Sequence, residues 1–516
     1  MMKVREPSSL DYLLTKLSSF CWLRPILVSV ILVIPCFWQP IVSGVDLQSH
    51  LYNAWLAKLI LHGDIHGLWI SHQSTNIVVD IMLSWLMRYF GVSAAERIIA
   101  SALVLVFFWG AFHFISAVRG SAAYWLAPWV AVLTYGFTFQ MGLLNYYLSC
   151  GLVLWIFAIL WRRRVGWQTL WTVPLFVLAY LAHPLPVLWL LGAAAYCWLV
   201  QKIHQRFRPF LFGGGVAVIL LFRCCIAARY GTHWSHGQFK CLTGADQALL
   251  RGWAYLLVTA GFLLFSAVLL CQPENRWRAL KSLPAQVYYL TVLVVVAMPS
   301  TVRTSAGGAE ASLIADRVSL FSGVLLLAVL SRSNYRRGYL GAGLLTAAIF
   351  FGALFCDIRS DAIAEAKMER LVETLPAGER VIALADRADS NASGNSMAKE
   401  GTLGHLAMRI LDHCCKRLNE THLISRACLG HCFDYMNYEP STGQFRIHAA
   451  PENPVVLGAR AEFTAMKSRE YVVKARDLPL YALIKCAPEP GDMIMLPMKI
   501  GETPAMLACP GAPVRR

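Results

Sequence analysis

Long apolar runs recur along the chain as far as Cys356: residues 25–42, 98–118, 148–161, 252–270, 287–298 and 340–355 contain no Asp, Glu, Lys or Arg. About 20 apolar residues in a helix cross the roughly 30 Å hydrocarbon core of a bilayer. Inside that core only a helix or a closed barrel satisfies every backbone N–H and C=O. The composition agrees: 57% hydrophobic and 15% charged residues with a mean hydropathy of +0.52 lie outside the range of soluble globular domains. No short apolar segment with a small-residue cleavage site precedes the first run, which is read as an uncleaved span. After Cys356 the chain turns polar. The expected fold is therefore a multi-pass α-helical membrane protein followed by an extracytoplasmic mixed α/β domain.

The formal charge of +16 is spread as small Lys/Arg clusters between apolar runs, the pattern that sets membrane topology. A nucleic-acid interface would need those clusters to share one surface, so nucleic acid is not an expected partner.

The number of spans turns on residues 76–91. Asn76, Asp80, Ser84 and Arg88 recur every four residues there, so a helix would carry one continuous polar stripe. Such a helix suits the membrane interface better than its interior. Charge counting tests this. Without a crossing, 17 Lys/Arg fall on the cytoplasmic side (3, 5, 16, 24, 119, 162–164, 202, 206, 208, 276, 278, 281, 332, 336 and 337) and 8 outside (58, 88, 97, 229, 240, 251, 303 and 317), leaving aside Arg223 and the C-terminal part. With a crossing the balance becomes 11 inside against 14 outside, which violates the positive-inside rule. The expected spans are 24–43, 97–118, 122–136, 146–161, 168–182, 186–201, 209–228, 252–271, 284–299, 316–331 and 338–356. Residues 1–23 would be cytoplasmic, 44–96 an outer loop, and 357–516 an outer domain.

The first outer loop holds the most informative residues. Asp46 lies just past the first span, and His50 follows four residues later, on the same face of a helix. A carboxylate there could accept a proton from an attacking hydroxyl or amine, with His50 orienting it. It could equally cap the next helix.

An aspartate at the outer end of the first span, followed by amphipathic juxtamembrane segments and the stretch Tyr89-Phe90-Gly91-Val92-Ser93-Ala94-Ala95-Glu96-Arg97-Ile98, resembles the bacterial GT-C superfamily of polyprenyl-phosphate-dependent glycosyltransferases. The resemblance covers about residues 1–356 in architecture. It implies a catalytic base at Asp46, a lipid-phosphate sugar donor, and transfer to a glycan, lipid or protein acceptor on the non-cytoplasmic face of the bacterial inner membrane, in cell-envelope assembly. This chain has no Asp-Glu or Asp-x-Asp pair at that position, which leaves a divalent metal open as a cofactor. The alternatives are a transporter or flippase and a non-catalytic envelope-polysaccharide assembly protein.

A lipid phosphate needs cations at the membrane surface, and Arg303 and Arg317 are the outer candidates. Asn145, Tyr146 and His183 are expected on the same surface, lining an acceptor cleft or forming an aromatic belt. His113 and Arg223 are ionisable groups inside apolar runs, either functional or paired within the bundle. No metal-ligand set is assigned: His233 and His236 lack a clear third ligand, and His413, Cys414, Cys415, Cys428, His431 and Cys432 have zinc-like types but awkward spacing. With Cys486 and Cys509, the cysteines of this C-terminal region could form disulfides outside the cell. Strands are expected at 380–384, 444–448, 470–475 and 480–484, after a helix over 362–375.

Overall fold

The architecture comes from a computed structural model. It describes residues 23–40, 74–162, 167–250, 252–272, 279–303, 310–334 and 337–373, positions 42, 44, 47, 50, 51, 54, 57, 61 and 62, and, towards the C-terminus, 380–383, 436–439, 444–447, 480–485, 493–497 and 499–502.

A helix stands at the place of each expected span. Their order is α1 (Leu23–Val33), the short α2 (Val78–Phe90), α3 (Val92–Arg119), α4 (Ala127–Thr134), α5 (Leu144–Trp161), α6 (Thr172–Ala182), α7 (Pro184–Lys202), α8 (Arg208–Arg229), α9 (Gly252–Leu270), α10 (Leu283–Ala297), α11 (Ile314–Leu330) and α12 (Arg337–Glu373). Among the described residues, six helical stretches are long and apolar enough to cross a membrane: Val92–Arg119, Leu144–Trp161, Pro184–Lys202, Gln205–Arg229, Gly252–Leu270 and Gly338–Ile363. Leu23–Phe37, Thr172–Ala182 and Leu283–Ala297 are shorter apolar helices. The protein is thus a multi-pass helical membrane protein. The segment expected to span at 122–136 forms a 3-10 turn and then only the 8 residues of α4.

The centre of the bundle is the α3/α5 pair. A Cβ on Gly110 would lie 2.5 Å from the Gly151 carbonyl oxygen, so small residues let the two backbones meet. Phe107 stacks on Tyr147 and Phe114 on Phe157 on either side of that contact. By contrast α8 has no buried residue, as befits a helix that turns its apolar surface to lipid.

The helix ends form two unlike faces. At one, Arg119 donates to the Ser331 carbonyl, Trp125 and Phe265 pack near Tyr339, and Arg162, Lys202, Arg206, Arg208, Lys281 and Arg332 stand at or beside helix ends. At the other lie the starts of α5, α7, α9 and α11 and a small antiparallel sheet of β1 (Gly231–His233), β2 (Thr301–Arg303) and β3 (Glu310–Ala311). All the polar clusters described below belong to this second face.

The helix at 78–90 is 13 residues long, about 20 Å, less than the hydrocarbon thickness. Its expected polar stripe is not there. The helix starts after Asn76, and Asp80 is buried while Arg88 is exposed. The reason is that Asp80 finds two inward partners, His50 and Asn145, which outweigh a place on the polar surface. The exposed side is instead apolar: Ile81, Met82, Trp85, Tyr89 and Phe90. A sharp corner at Gly91, with φ +78° and ψ 172°, separates α2 from α3, a conformation open in practice only to glycine.

The expected boundary at residue 357 falls inside α12, which runs unbroken for 37 residues. Beyond it, β4 (Arg380–Ala383), β7 (Leu480–Lys485) and β8 (Met493–Pro497) form one sheet, parallel between β4 and β7 and antiparallel between β7 and β8. A hairpin pairs β5 (Met436–Glu439) with β6 (Gln444–Ile447). The expected strand at 470–475 and Cys414, Cys415, Cys428, Cys432, Cys486 and Cys509, with His413 and His431, lie outside the described residues.

Candidate functional site

Three polar groups lie at the second face, the last two of them on the first turns of α11. The first fastens the segment after α1. Val42 N–H donates to Glu96 Oε1 at 3.0 Å, and Arg97 Nη2 donates to the Pro40 carbonyl at 3.1 Å. Positions 47, 50, 51, 54 and 57 are helical and buried, the inner stripe of an amphipathic helix. His50 on that stripe places Nδ1 2.9 Å from Asp80 Oδ1. Asn145 Nδ2 donates to Asp80 Oδ2 at 3.0 Å and to the Asn76 carbonyl at 3.1 Å, and its Oδ1 accepts from Val79 N–H at 2.9 Å. Both oxygens of the buried Asp80 carboxyl group thereby have hydrogen-bond partners, as buried polar groups do. Asp46 itself lies outside the described residues, but the chain is held on both sides of it, at Val42 and at His50.

The second group is built on Arg317. Its guanidinium lies 5.7 Å from the centroid of the Tyr146 ring, and Nη1 is 3.4 Å from His183 Nε2. Tyr146 returns a hydrogen bond from its hydroxyl to the Arg317 carbonyl at 2.7 Å. His183 caps α7, its Nδ1 accepting from Leu185 N–H at 3.2 Å. Burial, with the Arg317 charge adding to it, pushes His183 down to about 3, so the ring is neutral near pH 7. A neutral imidazole has one acceptor nitrogen, yet two donors face this ring. Leu185 N–H lies at Nδ1 and the Arg317 guanidinium at Nε2.

The third group links a loop to α11. Gln247 Oε1 accepts from Thr138 N–H and Oγ1 at 3.0 and 2.8 Å, while its Nε2 donates to Ser319 Oγ at 2.7 Å, the Asp316 carbonyl at 2.9 Å and Asp246 Oδ2 at 3.2 Å. Ser319 Oγ donates to Asp246 Oδ2 at 2.6 Å. Burial raises the Asp246 carboxyl to about 7, and neighbouring Asp316 adds to the rise. Cys241 Sγ lies 3.7 Å from Asp316 Oδ1, and Lys240 Nζ reaches the same oxygen at 3.9 Å. The loop can approach α11 this closely because Gly244, at φ +75°, rests on Gly323: a Cβ there would lie 2.3 Å from the Gly323 Cα.

The structure therefore gathers His50, Asn145, Tyr146, His183 and Arg317 at one face, with consecutive Asn145 and Tyr146 joining the first two groups. Asn145 and Tyr146 are buried and turned to their protein partners. Arg303 ends β2, opposite Gly231 in the register of the sheet. His233 and His236 are exposed and belong to no group of three metal-ligating side chains among the described residues. His113 packs its ring 4.5 Å from that of Trp155, and exposed Arg223 lies 5.2 Å over Trp234; both have the aromatic partners of a bundle residue. Cys241, Asp246, Gln247 and Ser319 escape a reading of the sequence, where Asp246-Gln247 is one polar pair in a short loop. No protein family, curated protein or solved structure matches the chain.

Proposed function

We propose that the protein is a membrane glycosyltransferase that moves a sugar from a polyprenyl-phosphate carrier to an acceptor at the face bearing these clusters. The observation that carries the reading is the position of the Arg317 guanidinium, beside the Tyr146 ring and His183 at the face that also carries the His50–Asp80–Asn145 group. It is a fixed planar charge of the kind suited to phosphate. Lys/Arg concentrate at the opposite helix ends, which favours a non-cytoplasmic side for this one.

Asp46 is assigned as general base. It takes the proton of the acceptor hydroxyl or amine as that atom attacks the anomeric carbon, while Arg317 offsets the charge developing on the departing phosphate. Such a direct displacement inverts the anomeric centre. Glu96 and the His50–Asp80 pair act by holding the chain on either side of the base. Asn145 and Tyr146 position Asp80 and Arg317. The segment beyond α12 is assigned to acceptor recognition.

The test uses the full chain in lipid nanodiscs. Polyprenyl monophosphate should bind and uncharged polyprenol should not. Arg317→Ala should weaken binding roughly tenfold or more, the loss expected for a hydrogen bond to a charged group, with Arg317→Lys intermediate. Asp46→Asn should bind and fold normally yet fail to transfer glycan in cells. Equal binding by wild type and Arg317→Ala would remove the donor site, and wild-type transfer by Asp46→Asn would remove the base.

A further inference from the structure

Cys241, Asp246 and Asp316 each offer one ligand atom, and all three atoms lie within 4.8 Å of one another. They come from distant parts of the chain, the loop before α9 and the first turn of α11, brought together by the Gly244–Gly323 contact and the Gln247 hydrogen bonds. The second observation is Asp246 Oδ1, a buried carboxylate oxygen with no hydrogen-bond partner among the described residues, on a side chain that is 6% exposed as a residue. Its sister oxygen is held from behind by Ser319 and Gln247, so Oδ1 is fixed in direction. Lys240 pairs with Asp316 and leaves Oδ1 without a donor. A buried carboxylate oxygen left bare is costly, and a cation relieves that cost.

We infer that Cys241, Asp246 and Asp316 form a zinc site on the face that carries the Arg317–His183 pair. The donor set selects the ion. A thiolate disfavours calcium and magnesium, which take oxygen ligands, and one sulfur with two carboxylates suits zinc. Zinc bonds of about 2.3 Å to sulfur and about 2.1 Å to oxygen put tetrahedral donors roughly 3.5 Å apart. Cys241 Sγ and Asp316 Oδ1 are already at 3.7 Å, so closure asks for small side-chain movements. Three protein ligands leave a fourth position for water or substrate. Ser319 and Gln247 are the outer partners that orient Asp246. On binding, the Cys241 thiol gives up its proton to solvent and Lys240, whose side chain is 46% exposed, swings away from Asp316. The site stands independently of the transferase reading, since its test does not measure transfer.

Cobalt(II) replaces zinc in such sites and reports a thiolate ligand by a near-ultraviolet charge-transfer absorption. The metal-stripped full chain in detergent is titrated with Co2+ and back-titrated with Zn2+. Wild type should show the absorption and lose it to Zn2+. Cys241→Ser should lose the part of the absorption due to this site, Asp246→Asn should bind at least tenfold more weakly, and Ser319→Ala about 10–100-fold more weakly, as expected for an outer partner. An absorption and stoichiometry in Cys241→Ser equal to wild type would overturn the site, as would no thiolate absorption in wild type. If Cys241→Ser fails to elute as a folded protein, the isosteric Asp246→Asn decides by the same criterion: wild-type affinity in that variant overturns the proposal.

Discussion

His183 has one lone pair and two neighbours that ask for it. Serving the cap of α7 keeps the ring neutral, and burial enforces that state with a value of about 3 against about 6.5 in an unfolded chain. Between those values the unfolded chain binds more protons, so the contribution of the neutral ring to stability is complete above pH 6.5 and is lost as pH falls towards 3. Unfolding temperature in detergent should therefore fall as the pH drops from 7 to 4, with a slope of up to about 1.4 kcal/mol per pH unit from this group. His183→Asn, which can still cap the helix, should flatten that slope, and an unchanged slope would mean that His183 does not carry it. His50 and Asp80 show the other solution for a buried ionisable group. There an imidazole and an amide meet the two oxygens of the carboxyl group, so its hydrogen-bonding capacity is met by protein partners.

At the scale of elements, close contacts of loops with helices place the polar groups. Gly244 needs a positive φ and also has the Gly323 backbone against it. Gly244→Ala should cost at least about 1–3 kcal/mol from backbone strain alone, lower the unfolding temperature, and speed amide exchange through residues 244–248. Gly192→Ala in α7, where an added Cβ meets nothing within 4 Å, is the control and should be neutral or slightly stabilising. Helix positions were legible in the sequence because an apolar run in a bilayer has few alternatives to a helix. The positions of Tyr146, His183 and Arg317 on one face followed from the same threading. What could not be read was pairing across distance. Ser319 and Asp246 are 73 residues apart, and no local period announces that they touch. The polar stripe on α2 misled for the same reason: periodicity places Asp80 on a helix face, but only its contacts with His50 and Asn145 reveal that this face is turned inward.

For the whole molecule, the two unlike ends of the bundle make a topological prediction. Reporter insertions at Ile60, Arg163 and Glu400 should read outside, inside and outside. A reversed pattern would put the Arg317–His183 pair on the cytoplasmic side and remove the basis for a carrier exposed beyond the membrane. α12 reaches the end of the bundle that carries the polar clusters, where Phe355 packs on Trp38 and Tyr255 donates to Asp357. At 37 residues α12 is about 55 Å long against a hydrocarbon layer of about 30 Å. Its surplus of roughly 25 Å makes the helix a rigid mast rooted in the bundle, so a tilt of a few degrees at its foot becomes a displacement of ångströms at its tip.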